Sequence, residues 1–310
     1  MKNAICPILI GIVINYASAQ TVPATHEWNV TLKVVDENGQ PVSAADASVG
    51  YFSGHKGASI KGKTDTNGVF AASHSAHSGL LSFAVTKTGY YRTWSEYDLG
   101  FEYDPTKWNP TKTIILKNVG NPIPMYAKRE EMKFPKEDEA IGFDLIAGDW
   151  VAPYGKGFQA DMFFTVHRKI INERDYDCAL AVTFPNKGDG ITIAQPVPDT
   201  GSAFKTSRTA TENGYEPELD LHYSHVKRPN PVFGYFIRVR TEVDQSGNVK
   251  SALYGKIPGK FRFYAGTIVP TAGMGFDYYL NPTPNDRNVE FDPKQNLIKG
   301  LKPLEQVTEP

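Results

Sequence analysis

Cysteine is nearly absent: Cys6 and Cys178 are the only two in 310 residues. Cys6 lies in a leader-like segment, so the mature chain has a single thiol and can close no internal disulfide. Charge of one sign is missing too. Lys plus Arg number 33 and Asp plus Glu 34, a formal charge of −1, which excludes a basic groove over the whole molecule and gives no reason to expect nucleic acid. No apolar run reaches the roughly 18 residues that a membrane-crossing helix needs. Gly-x-Ser-x-Gly, His-Glu-x-x-His and phosphate-loop patterns are also lacking. No motif therefore calls for a cofactor or a metal.

What is present favours exported β-structure. Gly 27 and Pro 22 supply frequent turns, Tyr 16 and Phe 17 favour strands, and 40% hydrophobic residues suffice for real cores. Residues 1–19 read as a signal peptide: Lys2, then Ile8 to Ile14, then the small-x-small site Ala17-Ser18-Ala19. Cleavage near Ala19 predicts a secreted, periplasmic or extracellular protein. Around Cys178, Tyr176, Leu180, Val182 and Phe184 alternate with Asp177, Ala179, Ala181 and Thr183. That spacing places the thiol on an apolar strand face, as a packed core group.

Residues 27–117 form the first unit. Trp28, Val30, Leu32 and Val34 share one strand face, and Leu81, Phe83 and Val85 alternate again before Ile114 and Leu116. Turn signals fall at Asp36-Glu37-Asn38-Gly39-Gln40-Pro41 and Thr64-Asp65-Thr66-Asn67-Gly68. Short strands with regular turns predict a β-sandwich. These residues, with Val34-Val35-Asp36, Val42, Ala45, Val69-Phe70, Val85, Lys87 and Gly89-Tyr90-Tyr91, resemble the carboxypeptidase regulatory-like domain. The resemblance covers under a third of the chain. It implies a transthyretin-like, seven-stranded Greek-key sandwich serving as a non-catalytic accessory module, and no peptidase activity.

Residues 118–139 read as a linker, with Pro122, Pro124 and Pro135 and two charge runs, Lys128 to Glu131 and Lys136 to Glu139. Residues 140–298 read as a second, larger all-β domain, an antiparallel sandwich or jelly roll, with Phe158, Ala160, Met162, Phe164 and Val166 along one strand. Residues 299–310 read as a flexible tail. The expected fold class is thus all-β throughout.

One sheet face can be laid out by register. Tyr235, Ile237, Val239 and Val243, then Val249, Leu253 and Ile257, then Phe261 and Phe263 mark the apolar side. A Gly247 turn pairing Asp244 with Asn248 keeps the first two sets together. It sets Arg238 opposite Tyr254 and Glu242 opposite Lys250. Pairing Ile257 with Phe261 sets Lys256 opposite Arg262, a repulsion that calls for a counter-charge such as Asp277 or a bound anion. Arg238, Arg240, Tyr254, Lys256, Arg262 and Tyr264 would then share a solvent face, cations beside flat rings, suited to an anionic polysaccharide or cell-surface polymer.

Other constellations are less specific. Tyr90, Tyr91, Trp94, Tyr97, Phe101, Tyr103 and Trp108 crowd one stretch, read as closing the first sandwich or forming an interdomain contact, with a carbohydrate-stacking loop as the alternative. His74 with His77, and His222 with His225, sit at i and i+3, on opposite sides of a regular strand. Asp144, Asp149, Asp161, Glu216, Glu218 and Asp220 could serve as paired carboxylates, and Tyr254, Arg262 and His167 as a lyase set, without a supporting motif. The sequence favours a non-catalytic binding or accessory protein. A polysaccharide hydrolase or lyase with an accessory domain, and a structural envelope protein, remain the alternatives.

Overall fold

In the computed structural model, residues 26–53, 56–76, 80–98, 109–195, 201–265 and 270–310 are described. The leader-like segment 1–19 lies outside them, as do His77, Phe101, Tyr103 and Trp108. The described chain is almost entirely β, its sheets in a sandwich-like arrangement.

The first unit contains β1 (His26–Asp36), β2 (Asp46–Ser53), β3 (Lys56–Lys63), β4 (Val69–Ala76), β5 (Leu80–Thr86), β6 (Thr93–Asp98) and β7 (Thr111–Leu116). They form two sheets, ordered β4-β1-β7 and β3-β2-β5-β6, with β1 and β7 parallel. The alternating residues of β1 pack with Val49, Tyr51, Leu81, Phe83 and Val85 in one core. Tyr51 keeps its phenol satisfied there by donating to the Ala72 carbonyl at 2.8 Å.

One turn solution occurs three times. The Asp36 carboxylate accepts from the Asn38 and Gln40 N–H groups, Asp65 from Asn67 and Val69, and Asp244 from Ser246 and Asn248. The intervening Gly39, Gly68 and Gly247 have φ of 78°, 73° and 85°, where a side chain would be strained. At Gly68 a Cβ would also meet the Val34 carbonyl at 2.4 Å. The Asp244 amide donates to the Asn248 carbonyl, as the register argument required.

The second unit contains β8 (Ile123–Lys133), β9 (Ile141–Asp144), β10 (Asp149–Trp150), β11 (Met162–Asn172), β12 (Asp175–Thr183), β13 (Gly190–Ile193) and β14 (Glu218–Ser224). There follow β15 (Gly234–Val243), β16 (Val249–Pro258), β17 (Arg262–Tyr264), β18 (Gly273–Leu280) and β19 (Phe291–Asn296). One sheet runs β10-β9-β11-β12-β14; the other runs β13-β15-β16-β18-β8-β19, with β17 on β18. Between them lies an aromatic core. Phe143 meets Trp150 edge-on at 5.6 Å, and Phe276 meets Phe261 at 5.3 Å and Phe164 at 5.7 Å. Cys178 is buried in the same core.

Three expectations are corrected here. Residues 118–139 are not a linker, because β8 lies inside the larger sheet, between β18 and β19. Pro122 and Pro124 precede Tyr126, where pairing with β18 begins, so no ladder bond is lost. The charge run is used across strands: Arg129 meets Asp277 at 3.1 Å and Glu131 meets Arg262 at 2.8 Å. Phe158 does not begin a strand; β11 starts at Met162 and Phe158 is 93% exposed. The tail is not free either. Val307 is buried, and the Tyr279 hydroxyl donates to the Glu309 carbonyl at 3.1 Å.

Arg240 fastens the two sheets. It sits at the bulge between Val239 and Glu242 with φ 55°, and its guanidinium reaches Asp161 at 2.7 Å and Asp144 at 3.2 Å. Burial raises the Asp161 carboxyl above its ordinary range, and Arg240 opposes that shift. Arg240→Met leaves Asp161 buried without its cation, and is expected to cost about 3 kcal/mol. Urea denaturation measures this; a loss below about 0.5 kcal/mol would show that the pair is dispensable.

Candidate functional site

The larger sheet is buried on both sides, and that decides the fate of the predicted face. Its outer side carries Phe236, Tyr254, Tyr279 and Phe291, packed beneath Ala194, Ala210, Tyr215, Val289 and Val307. The expected solvent face is covered by the chain around 204–216 and by the tail.

The six predicted residues therefore separate. Arg238 donates to the Gly188 carbonyl at 2.6 Å and lies 4.5 Å over the Tyr215 ring. Tyr254 is buried, 6.2 Å from that same ring. Arg240 is turned by its bulge to the interior carboxylates. Arg262 is held at 3.2 Å by Asp277, the counter-charge proposed from sequence, and by Glu131. Tyr264 keeps partial exposure at the end of β17. Lys256 is 1% exposed. It does not oppose Arg262, because β17 pairs with β18 rather than β16; Lys256 stands opposite Tyr279. The bulge also puts Glu242 opposite Ser251 rather than Lys250, although Lys250 remains 4.0 Å away.

Lys256 is the unusual member. Among the described residues its Nζ has one hydrogen-bond partner, the Thr206 hydroxyl at 3.5 Å, and it lies 4.8 Å from the Phe204 ring and 4.7 Å from the Tyr279 ring. No carboxylate among the described residues stands within ion-pairing distance. Glu290 acts on it only from farther off, and burial holds its pKa down to about 7. Lys256 lines a cavity of about 390 Å³ with Arg129, Lys205, Phe233, Tyr279 and the tail residues 307–310. A second hollow of about 540 Å³ is lined by Arg92, Trp94, Glu96, Lys205 and Glu309.

The second hollow lies at a seam between the units whose partners sequence reasoning did not identify. Residues 201–203 extend the smaller sandwich: the Trp94 amide donates to Gly201 at 2.8 Å and the Ala203 amide to Arg92 at 2.9 Å. Glu290, buried, accepts from the Tyr91 hydroxyl at 2.6 Å and from the Gly120 and Asn121 amides. Arg208 donates twice to Glu37, at 3.0 and 2.8 Å. These contacts join residues 169 to 199 positions apart, a separation that periodicity cannot reveal. The surplus of rings near Tyr90 and Tyr91 was the available signal, and Tyr91 stacks on Phe204 at 5.2 Å.

Of the candidate carboxylates Asp144 and Asp161 do come together, buried and both held by Arg240. Asp144 accepts from four backbone amides as well as Arg240, which is a structural role. Asp149 accepts from the Trp150 and Lys156 amides. Glu218, Asp220 and His222 form the expected stripe on β14, exposed to solvent. His167 pairs with Asp138 on the other sheet, apart from Tyr254 and Arg262. Among the described residues, no group of three or more His, Cys, Asp and Glu is placed to hold a metal. Nor, among them, is any helix long and apolar enough to cross a membrane.

No protein-family model matches the chain, and no curated protein does. Among solved structures it is similar to a 3-chlorocatechol 1,2-dioxygenase from Rhodococcus opacus 1CP, at 12% identity and TM-score 0.26. That match covers 31% of this chain and 61% of the dioxygenase, so the chain spans less than two thirds of that protein. It is similar to the shaft pilin SpaA from Lactobacillus rhamnosus GG, at 11% identity and TM-score 0.23, over 55% of this chain and 91% of the pilin. A DUF3823 family protein from Parabacteroides merdae matches at 8% identity and TM-score 0.21, over 86% of this chain and 98% of that one. Likenesses so weak leave function to the chain's own residues.

Burial lowers Lys256 from 10.5 to about 7, so the unfolded chain binds the additional proton between those values. Its destabilising contribution is complete below about pH 7 and fades as pH rises toward 10.5. Lys256→Met is therefore expected to stabilise the fold by roughly 1–3 kcal/mol near pH 6, and by much less near pH 10. Parallel urea titrations at the two pH values test this; a gain that does not shrink with pH contradicts it.

Proposed function

We propose that the protein is an exported, non-catalytic binding protein for an anionic glycan or a similar acidic surface polymer, with an acid group of the ligand held in the Lys256 cavity. One observation carries the reading: a buried ammonium lines an open cavity and, among the described residues, has no carboxylate partner. Buried charges are costly unless paired. Here the room for a partner exists beside the charge, and Lys205 on the same wall adds to the positive potential, while Arg129 there is paired with Asp277. The half-exposed Phe233 ring on the wall suits a sugar's apolar side.

The leader-like residues 1–19 support export. Seven strands in two sheets, with the Asp-Gly turns of the first unit, support reading residues 27–117 as a carboxypeptidase regulatory-like accessory sandwich. The commitment of Asp144 and Asp161 to Arg240, and the separation of His167 from Tyr254 and Arg262, favour binding over turnover.

Calorimetric titration with glucuronic acid and with neutral glucose tests the reading. The acid should bind and the neutral sugar should not. Lys256→Met should abolish the difference while leaving the protein folded. Because the free amine titrates near 7, affinity for the acid should fall by up to about tenfold per pH unit above that value. Equal affinity for acid and neutral sugars, or an unaffected Lys256→Met protein, would overturn the proposal.

A further inference from the structure

We infer that the ligand is an acid-terminated oligosaccharide lying across both units, with Trp94 as the platform for a neutral ring next to the acidic one. This rests on the cavity reading above and extends it to the first unit. The Lys256 cavity and the neighbouring hollow share Ala203, Lys205 and Glu309 in their walls. They are two stretches of one groove. Each volume lies in the range of roughly 300–1,000 Å³ that encloses a small ligand, so the pair accommodates more than a single acidic ring.

The chemistry changes along the groove. At one end lie Lys256, Arg129 and Lys205 with Phe233, 54% exposed. At the other end Trp94 is 50% exposed on β6, with Glu96 lining the same hollow. There the Arg92 guanidinium is already engaged by Glu309. The Trp94 end therefore offers a flat ring and a carboxylate acceptor, its one cation besides the committed Arg92 being Lys205, which it shares with the other stretch; this suits a neutral sugar, whose C–H face stacks on the indole and whose hydroxyls donate to Glu96. The Lys256 end offers cations and suits a carboxylate. Half-exposed indole on a strand that is otherwise pinned to residues 201–203 is held in place without being covered. A lone inorganic anion would use neither ring.

The test measures affinity for glucuronic acid alone and for glucuronic acid linked to one, two or three neutral xylose residues. With wild-type protein, affinity should rise about five- to tenfold when the neutral residues are added, the increment of one aromatic stacking contact. Trp94→Ala should lose that gain and bind free glucuronic acid as wild type does. An affinity that does not change with length, or a gain that survives in Trp94→Ala, overturns the extended groove while leaving the cavity reading intact. Failure of free glucuronic acid to bind wild type overturns both.

Discussion

The burial of Glu290 between the two sandwiches constrains everything around it. A carboxylate removed from water must have its lone pairs occupied, and partners left without it would themselves be stranded. Tyr91 comes from the first unit, Gly120 and Asn121 from the connection, and Arg208 from the loop covering the larger sheet. Burial and the bond to Glu290 both keep the Tyr91 phenol protonated. Arg208 in turn holds the Glu37 carboxyl below its usual range. Satisfying one acid thus fixes the angle between two domains, and that angle sets the walls of the groove.

A sheet covered on both sides has a different chemistry from a sheet with one wet side. Strands of the second kind alternate, while strands of the first kind read as nearly continuous burial. β16 is buried from Ala252 to Ile257, Lys256 included. The lysine occupies what would be the wet position of an ordinary sandwich, and the loop 204–216 and the tail have closed over it. Its long stem is accommodated between Phe204 and Tyr279, whose rings offer a partial substitute for water.

Much of the fold was legible because period-two burial is local. The strands near 176–184, 218–225, 235–243, 249–257 and 275–280 all appear within about two residues, and Arg238 does stand opposite Tyr254. What failed was long-range. β8 was hidden because charges that pair across strands look the same in sequence as charges facing water. The Lys256–Arg262 opposition failed because β18, distant in sequence, took the place beside β16 that the nearer β17 was assigned. The bulge at Arg240 hid a core cation within a stretch of regular alternation. Lys256 was placed on a solvent face because its cover, distant in sequence, was invisible.

Residues 201–203 have a consequence beyond the groove. By bonding to β6 they occupy the outer rim of the four-stranded sheet, whose unpaired N–H and C=O groups would otherwise be a template for a foreign strand. The larger unit thus shields the start of that margin, and the first sandwich separated from it would expose more of an adhesive edge than the intact chain does.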